Sequence, residues 1–417
     1  MKQIVSNLVT AVRPLVLLFL AVIVLAATCK PVSESQAAPE IEVESGGDLS
    51  TDYPRYWNDL ARYLAGLEPA EGSVLKGVDD SARAVAHRKA FAQGWEPEAK
   101  RLAAMEKWRS AELSDVYQLR RTVFYPFSGP DFININTLYP DSRRYILFGL
   151  ENPGSPPDIS KLSEKEQASF LAHVQRSLHS ILKWSFFRTL SMQVDFNNKA
   201  LDGLNPVLLA FMARKGMHVL DLTTVRLAED SKLYAIYDDN AYAPKKQDLP
   251  VYKPAANAKW KVIPGVRIRF VRPGSERLQE LLFFSFNVSD AGLKEFGQFP
   301  DFIKSQGPTN TYLKAASYLM HNASFSIIRN LVLSQSEFLL QDDSGIPLKY
   351  FPADTWDRSF YGSYHTPIPL FKNRVQMDLR KAYSGKDVKP LDFGIGYMYR
   401  KGTSNLMAAR KKHSAAE

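Results

Sequence analysis

Residues 122–151 read TVFYPFSGPDFININTLYPDSRRYILFGLE, and this order of residue types narrows the fold more than any other stretch of the chain. Residues 123–127 and 145–150 are apolar runs of strand length. Ser128, Gly129 and Pro130 force a sharp exit from the first run. Asp131 is placed to cap a short helix, which Pro140 and Asp141 end. Two strands separated by a helix form a parallel βαβ unit when the crossover takes its usual right hand. Asp131 and Glu151 then share one edge of the sheet, beyond the carboxyl ends of the strands, where ligand crevices form in open α/β sheets.

The alternation of strands and helices continues. Ser163 and Glu166 have capping-box spacing ahead of a helix whose Phe170, Leu171, Val174, Leu178, Ile181 and Leu182 form one apolar face. NPVLLAFMARKG reads as a helix closed by Gly216, and MHVLDL as the strand after it. Residues 230–261 are polar and Pro-containing, a long loop. In GVRIRFVRPGSERLQELLFFSFNVS, Val266, Ile268 and Phe270 alternate with Arg267 and Arg269 before a Pro-Gly turn, the pattern of a hairpin. TYLKAASYLMH and FSIIRNLVL read as helices, EFLLQDD as a strand, and DFGIGYMYR as a strand closing the sheet. Upstream, Trp57, Leu60, Leu64 and Leu67, then Leu102, Met105 and Trp108, recur at helical intervals. The expected fold class is α/β. A mixed, mostly parallel sheet is flanked by helices in a body at residues 119–417, with a β-hairpin and a helical N-terminal flank at residues 53–118.

Of the 417 residues, 45% are hydrophobic and 12% aromatic, enough for a large core, which excludes bulk disorder. The net charge of +9 is unevenly spread. Residues 1–29 carry only Lys2 and Arg13. Residues 30–52 carry one lysine against Glu34, Glu40, Glu42, Glu44, Asp48 and Asp52, so the remainder is strongly basic. A basic body either favours an anionic envelope ligand or simply keeps the protein soluble. The positive residues are scattered without the basic–aromatic pattern of nucleic-acid binding, so no nucleic-acid partner is expected.

Lys2 and Arg13 precede the apolar run PLVLLFLAVIVLAAT, and the only cysteine, Cys29, follows it. Residues 1–29 read as a signal peptide or membrane anchor. Residues 30–52, rich in Ser, Glu, Ala, Gly and Pro, read as a flexible acidic tether. LAATC resembles the signal of bacterial lipoproteins. That resemblance implies lipidation at Cys29 and an extracytoplasmic protein held to the membrane, on its periplasmic face or at the cell surface. Cleavage after Ala37 and an uncleaved anchor are the alternatives. A lone cysteine leaves no internal disulfide, Cys nucleophile or thiolate metal cluster.

Five side chains are candidates for acid–base chemistry: Asp131, Glu151, Asp342, Asp343 and His365. Asp342 and Asp343 end an apolar strand in QDDSGIP, where they serve either as acid and base or as a turn. His365 lies among Tyr361, Tyr364 and Thr366 as a proton donor or a hydrogen-bonded structural residue. Ser128, Gly129, Arg267 and Arg269 are candidates for ligand contact; the two arginines share one hairpin face, a carboxylate or phosphate site or else a solvated one. No HExxH, paired-His or GxSxG pattern is present, so neither a zinc site nor a hydrolase elbow is expected.

FYPFSGPDF and QDDSGIP together resemble exported bacterial proteins that carry no assigned activity. The 22-residue spacing from Gly129 to Glu151 also resembles Rossmann-type nucleotide sites, including class I methyltransferases, where an acid receives ribose hydroxyls. The FSGPD loop departs from both: it has one glycine, Pro130 lacks an amide donor, and Asp131 puts negative charge where phosphate would sit. The expected function is a non-catalytic, membrane-tethered binding protein of the cell envelope, contacting a protein partner or an anionic ligand, with no cofactor. The alternatives are an extracytoplasmic hydrolase or transferase with an acidic site at the sheet edge, and a divergent methyltransferase.

Overall fold

The structure is a computed structural model describing residues 53–116, 122–154, 158–184, 197–198, 201–236, 242, 248–253, 261–275, 277–396 and 402–412. The leader, Cys29 and the tether lie outside the described residues. Among the described residues no helix is long and apolar enough to cross a membrane.

A ten-stranded mixed sheet organises the protein. Its strands are β1 (Thr122–Tyr125), β2 (Arg144–Gly149), β3 (His218–Leu227), β4 (Leu233–Ile236) and β5 (Ile263–Val271). They continue with β6 (Leu278–Ser285), β7 (Thr309–Leu313), β8 (Ser336–Gln341), β9 (Trp356–Gly362) and β10 (Asn405–Lys411). Across the sheet the order is β9-β10-β8-β7-β1-β2-β6-β5-β3-β4. The five central strands, β8, β7, β1, β2 and β6, pair in parallel. On one side β5, β3 and β4 add antiparallel. On the other, β10 runs against β8, and β9 against β10. The chain winds outward from β1 in both directions, to β2 and β6 on one side and to β7 and β8 on the other. The gap between β1 and β7 is the topological switch point of a doubly wound sheet.

Helices cover both faces, as parallel strands require. On one face lie α1 (Tyr56–Leu64), α2 (Lys76–Asp79), α3 (Ala82–Glu112), α4 (Phe132–Leu138), α5 (Glu164–Trp184) and α6 (Asn205–Arg214). Trp57, Leu60, Leu102, Met105, Phe132 and Phe211 pack there against Val123, Tyr125, Tyr145, Leu147, Ile268 and Tyr312. The opposite face is covered by α7 (Asp290–Glu295), α8 (Gln298–Ser305), α9 (Ser326–Gln335) and α10 (Met377–Tyr383). There Phe299, Phe302, Ile328 and Val332 pack against Phe124, Ile146, Phe148, Leu282, Phe284 and Leu339. The two sets of strand residues alternate along each strand, because successive side chains point to opposite faces. The helical flank and the sheet share one core among the described residues.

Local signals hold where the chemistry is local. Asp131 caps α4 by accepting from the Asn134 amide at 3.4 Å. Ser163 and Glu166 form the capping box, with the Ser163 amide donating to the Glu166 carboxylate at 2.8 Å. Gly216 (φ 76°) closes α6, and β5 and β6 form the expected hairpin with Gly274 at φ 70°.

Four expectations need correction. TYLKAASYLMH is not a helix: it begins as the end of β7 and continues as a 3-10 turn, Ala315–His321. DFGIGYMYR does not enter the sheet over its described residues 392–396; β10, from SNLMAARKK, fills that place. Residues 230–261 contain β4, an edge strand on β3. Arg267 and Arg269 form no solvated face. Both are buried: Arg267 is gripped bidentately by Asp248 at 2.8 Å, and Arg269 by Asp221 with Nε at 2.8 Å.

Candidate functional site

A cleft of about 130 Å³ opens at the carboxyl ends of β1, β2, β6 and β7, at the switch point. It forms because the chain leaves β1 towards α4 on one face, and leaves the adjacent β7 towards α9 on the other. The two crossovers diverge and leave the strand ends uncovered.

The first wall is the FSGPD loop. Phe127 (φ 59°) and Gly129 (φ 52°) both adopt left-handed backbone. For a phenylalanine this is an outlier that persists only where surroundings fix it. The Ser128 amide and hydroxyl donate to the Phe148 carbonyl, at 3.0 and 3.3 Å, and so fasten the loop to β2. The Phe127 ring packs on Phe148 and Phe325, with centroids 5.6 and 6.0 Å away.

Asp131 follows, fully buried and surrounded by donors. Lys314 Nζ lies 2.6 Å from its Oδ2, the Tyr125 hydroxyl donates to Oδ2 at 2.8 Å, and Asn134 Nδ2 donates to Oδ1 at 2.7 Å. Arg101 of α3 donates to Asn134 Oδ1 at 2.7 Å, which fixes the amide so that its nitrogen faces Asp131. The helical flank thereby helps to set the site. Burial and the neighbouring Asp131 push the Tyr125 phenol far above its usual range, so it acts here as a donor.

Glu151 lies just past β2, buried, and turns back over the strand end. A Cβ on Gly149 would collide with its Oε2 and would sit 3.4 Å from the Gly129 Cα. Glycine at 149 is what admits the carboxylate to the cleft. Phe286, Asn287 and Val288, after β6, form the far wall. Leu150 and Leu319 stand at the mouth, 57% and 40% exposed, two of the few large apolar side chains left in water among the described residues.

The structure thus brings together Ser128, Gly129, Asp131 and Glu151. It does not bring Asp342, Asp343 or His365 into the lining. Asp342 lies one layer behind it: Oδ2 accepts from the Ala315 amide at 3.2 Å, and Oδ1 from the Ser344 amide at 3.0 Å. Asp343 accepts from the Tyr318 hydroxyl and from Asn405 Nδ2 at 3.1 Å. Burial, then the adjacent Asp343, raise the Asp342 carboxyl to about 7. Gln341 closes the same turn with two 2.8 Å bonds to the Ile346 backbone. His365 is exposed, and Arg267 and Arg269 are held by internal carboxylates away from the cleft. Among the described residues no three His, Cys, Asp or Glu side chains are arranged to hold a metal ion.

Lys314 is the group that sequence reasoning misses. Its one signal is a lysine directly after the apolar pair Tyr312–Leu313, and the helical composition of TYLKAASYLMH hides it. Comparison of the chain with protein-family models and curated proteins, and of its fold with solved structures, returns no match.

Proposed function

We propose that the chain is a small-molecule-binding α/β protein, held at a membrane on its extracytoplasmic side by its N-terminal segment, whose switch-point cleft takes an uncharged ligand of nucleoside type. The observation that carries this reading is the pairing of the left-handed Phe127–Gly129 loop with the buried Glu151 carboxylate across one βαβ unit. A carboxylate there accepts hydrogen bonds from vicinal hydroxyls. Phe127, Phe148, Phe286, Val288 and Phe325 offer a flat ring apolar and edge-on contacts. The enclosed volume approaches the roughly 150 Å³ that holds a benzene ring, so one ring is enclosed and the hydroxylated part reaches the mouth. Asp131 occupies the N-terminus of α4, where a pyrophosphate would otherwise be received, and this argues against phosphate-bearing ligands.

A second reading, a transferase, draws on the resemblance of residues 129–151, which lie in the β1–α4–β2 unit beside the switch point, to the nucleotide site of class I methyltransferases. The two readings part on ligand preference. Calorimetric titration with adenosine, S-adenosylhomocysteine and NAD tests both. Adenosine binding that weakens at least tenfold in Glu151→Gln, with unchanged melting temperature, supports the proposal. Tighter binding of the S-adenosyl compound favours the transferase. No nucleoside binding, or binding indifferent to Glu151→Gln, refutes both.

A further inference from the structure

Glu151 has a counterpart on the neighbouring strand. β2 and β6 pair in parallel with Gly149 opposite Ser285, and the Phe286 amide donates to the Gly149 carbonyl at 3.1 Å, which carries the pairing past the strand ends. Glu151 and Asn287 each stand two residues beyond that last pair, and both line the cleft. One presents a carboxylate and the other a primary amide. Adjacent strands lie about 4.8 Å apart, a spacing that vicinal hydroxyls can bridge.

The Asn287 side chain is oriented by its own turn. Its Oδ1 accepts from the Ser289 amide at 2.9 Å, and the Ser289 hydroxyl accepts from the Gly292 amide at 3.4 Å. The turn packs closely on the helix it precedes: a Cβ at Gly292 would collide with the Asn287 carbonyl oxygen. Asp290 fastens the start of α7 to α9, accepting from the Ile327 amide at 2.8 Å and the Ser326 hydroxyl at 2.7 Å. With Oδ1 committed to the backbone, Nδ2 is the end of the side chain left over. Asn287 is exposed, and its Nδ2 makes no hydrogen bond among the described residues. The other donors of the lining bond to the protein: Ser128 to the Phe148 carbonyl, Tyr125 and Lys314 to Asp131.

We propose that Asn287 is a specificity-determining residue of the cleft: its Nδ2 donates to the oxygen of the ligand hydroxyl whose proton Glu151 accepts, so that the two side chains together recognise a vicinal diol. The inference rests on the nucleoside reading and adds the second half of its hydroxyl recognition. A hydroxyl is one donor and two acceptors. The Glu151 carboxylate only accepts, and so leaves the hydroxyl lone pairs unserved. The amide beside it supplies the complement, and its two protons can serve both oxygens of a vicinal pair. The combination also selects against charge. An anionic group would suit Asn287 but be repelled by Glu151, and an ammonium would suit Glu151 but meet the protons of Nδ2. A neutral diol satisfies both.

Calorimetric titration of the full chain with adenosine, 2′-deoxyadenosine and 3′-deoxyadenosine tests this in two variants, with melting temperatures measured alongside. Asn287→Ser keeps an oxygen able to accept the Ser289 amide and removes Nδ2. It should bind adenosine at least tenfold more weakly, yet weaken one deoxy analogue less than threefold, which identifies the hydroxyl Asn287 holds. Asn287→Asp keeps the shape and the turn but puts an acceptor in place of the donor, and should lose at least as much. Adenosine affinity within twofold of wild type in both variants overturns the proposal. So does an equal loss for adenosine and both deoxy analogues, which would make Asn287 a purely structural residue. The comparison between ligands within each variant decides even where the melting temperature falls. Adenosine binding that depends on Glu151 but not on Asn287 overturns this inference alone, whereas a wild-type protein that binds no adenosine sinks the nucleoside reading and this inference with it.

Discussion

Replacing Asp131 by asparagine separates a cap from a buried ion pair. As a cap alone, Asp131→Asn should be nearly silent, since asparagine caps a helix about as well as aspartate. The carboxylate also forms a buried ion pair. Its Oδ2 faces Lys314 at 2.6 Å and the Tyr125 hydroxyl at 2.8 Å, and both members of the pair are 2% exposed. An asparagine either turns its NH₂ towards two donors or keeps its oxygen there without the charge. Removing one partner of a buried pair costs about 3–5 kcal/mol, so Asp131→Asn should lose that much and Lys314→Met a similar amount. The double variant should recover much of the loss, because an apolar replacement of a buried pair is often close to neutral. Urea unfolding of the full chain, with slopes unchanged between variants, measures the cycle. An Asp131→Asn cost below about 1 kcal/mol would refute the ion-pair argument and leave Asp131 a simple cap.

Asp221→Asn should cost about 3–5 kcal/mol in the same assay, since it strips the fully buried Asp221 charge from Arg269. The pH dependence of stability should show two opposed slopes. Asp342, raised from 3.8 to about 7, keeps in the native state a proton that the unfolded state gives up, so stability falls as pH rises between those values; Asp342→Asn should flatten that fall. His321, depressed from 6.5 to about 4 by burial, adds stability present above pH 6.5 and lost as pH falls towards 4, and His321→Asn should remove it. Metabolic labelling with a lipid precursor should mark the protein and fail in Cys29→Ala; an unlabelled, wholly cytosolic protein would refute the membrane assignment.

What can be read from the sequence is what depends on neighbours in the chain. The Asp131 cap, the Ser163–Glu166 box and the Gly274 turn need only a few adjacent residues, and all are legible. What escapes depends on distant ones. Thr309–Leu313 is a strand because it lies between β1 and β8, although Leu, Lys, Ala and Met after it favour a helix. Asn405–Lys411, rich in Met, Ala, Arg and Lys, is likewise a strand because β8 and β9 complete its ladder on both sides. Arg267 and Arg269 alternate as a solvated face would, and only the fold shows that Asp221 and Asp248 meet them. At the site, Glu151 and the FSGPD loop are visible as one βαβ unit. Lys314 is not, since it comes from the far side of the switch point.

The role proposed for Glu151 is to receive ligand hydroxyls at the switch-point cleft. It is tested most directly by calorimetric titration of the wild-type protein with adenosine, 2′-deoxyadenosine and 3′-deoxyadenosine. A site that hydrogen-bonds a hydroxyl rejects the analogue lacking it, because the buried acceptor is left unpaired. Each deoxy analogue should bind at least tenfold more weakly than adenosine, and Glu151→Gln should erase most of this discrimination. Equal affinity for all three in the wild type would contradict it.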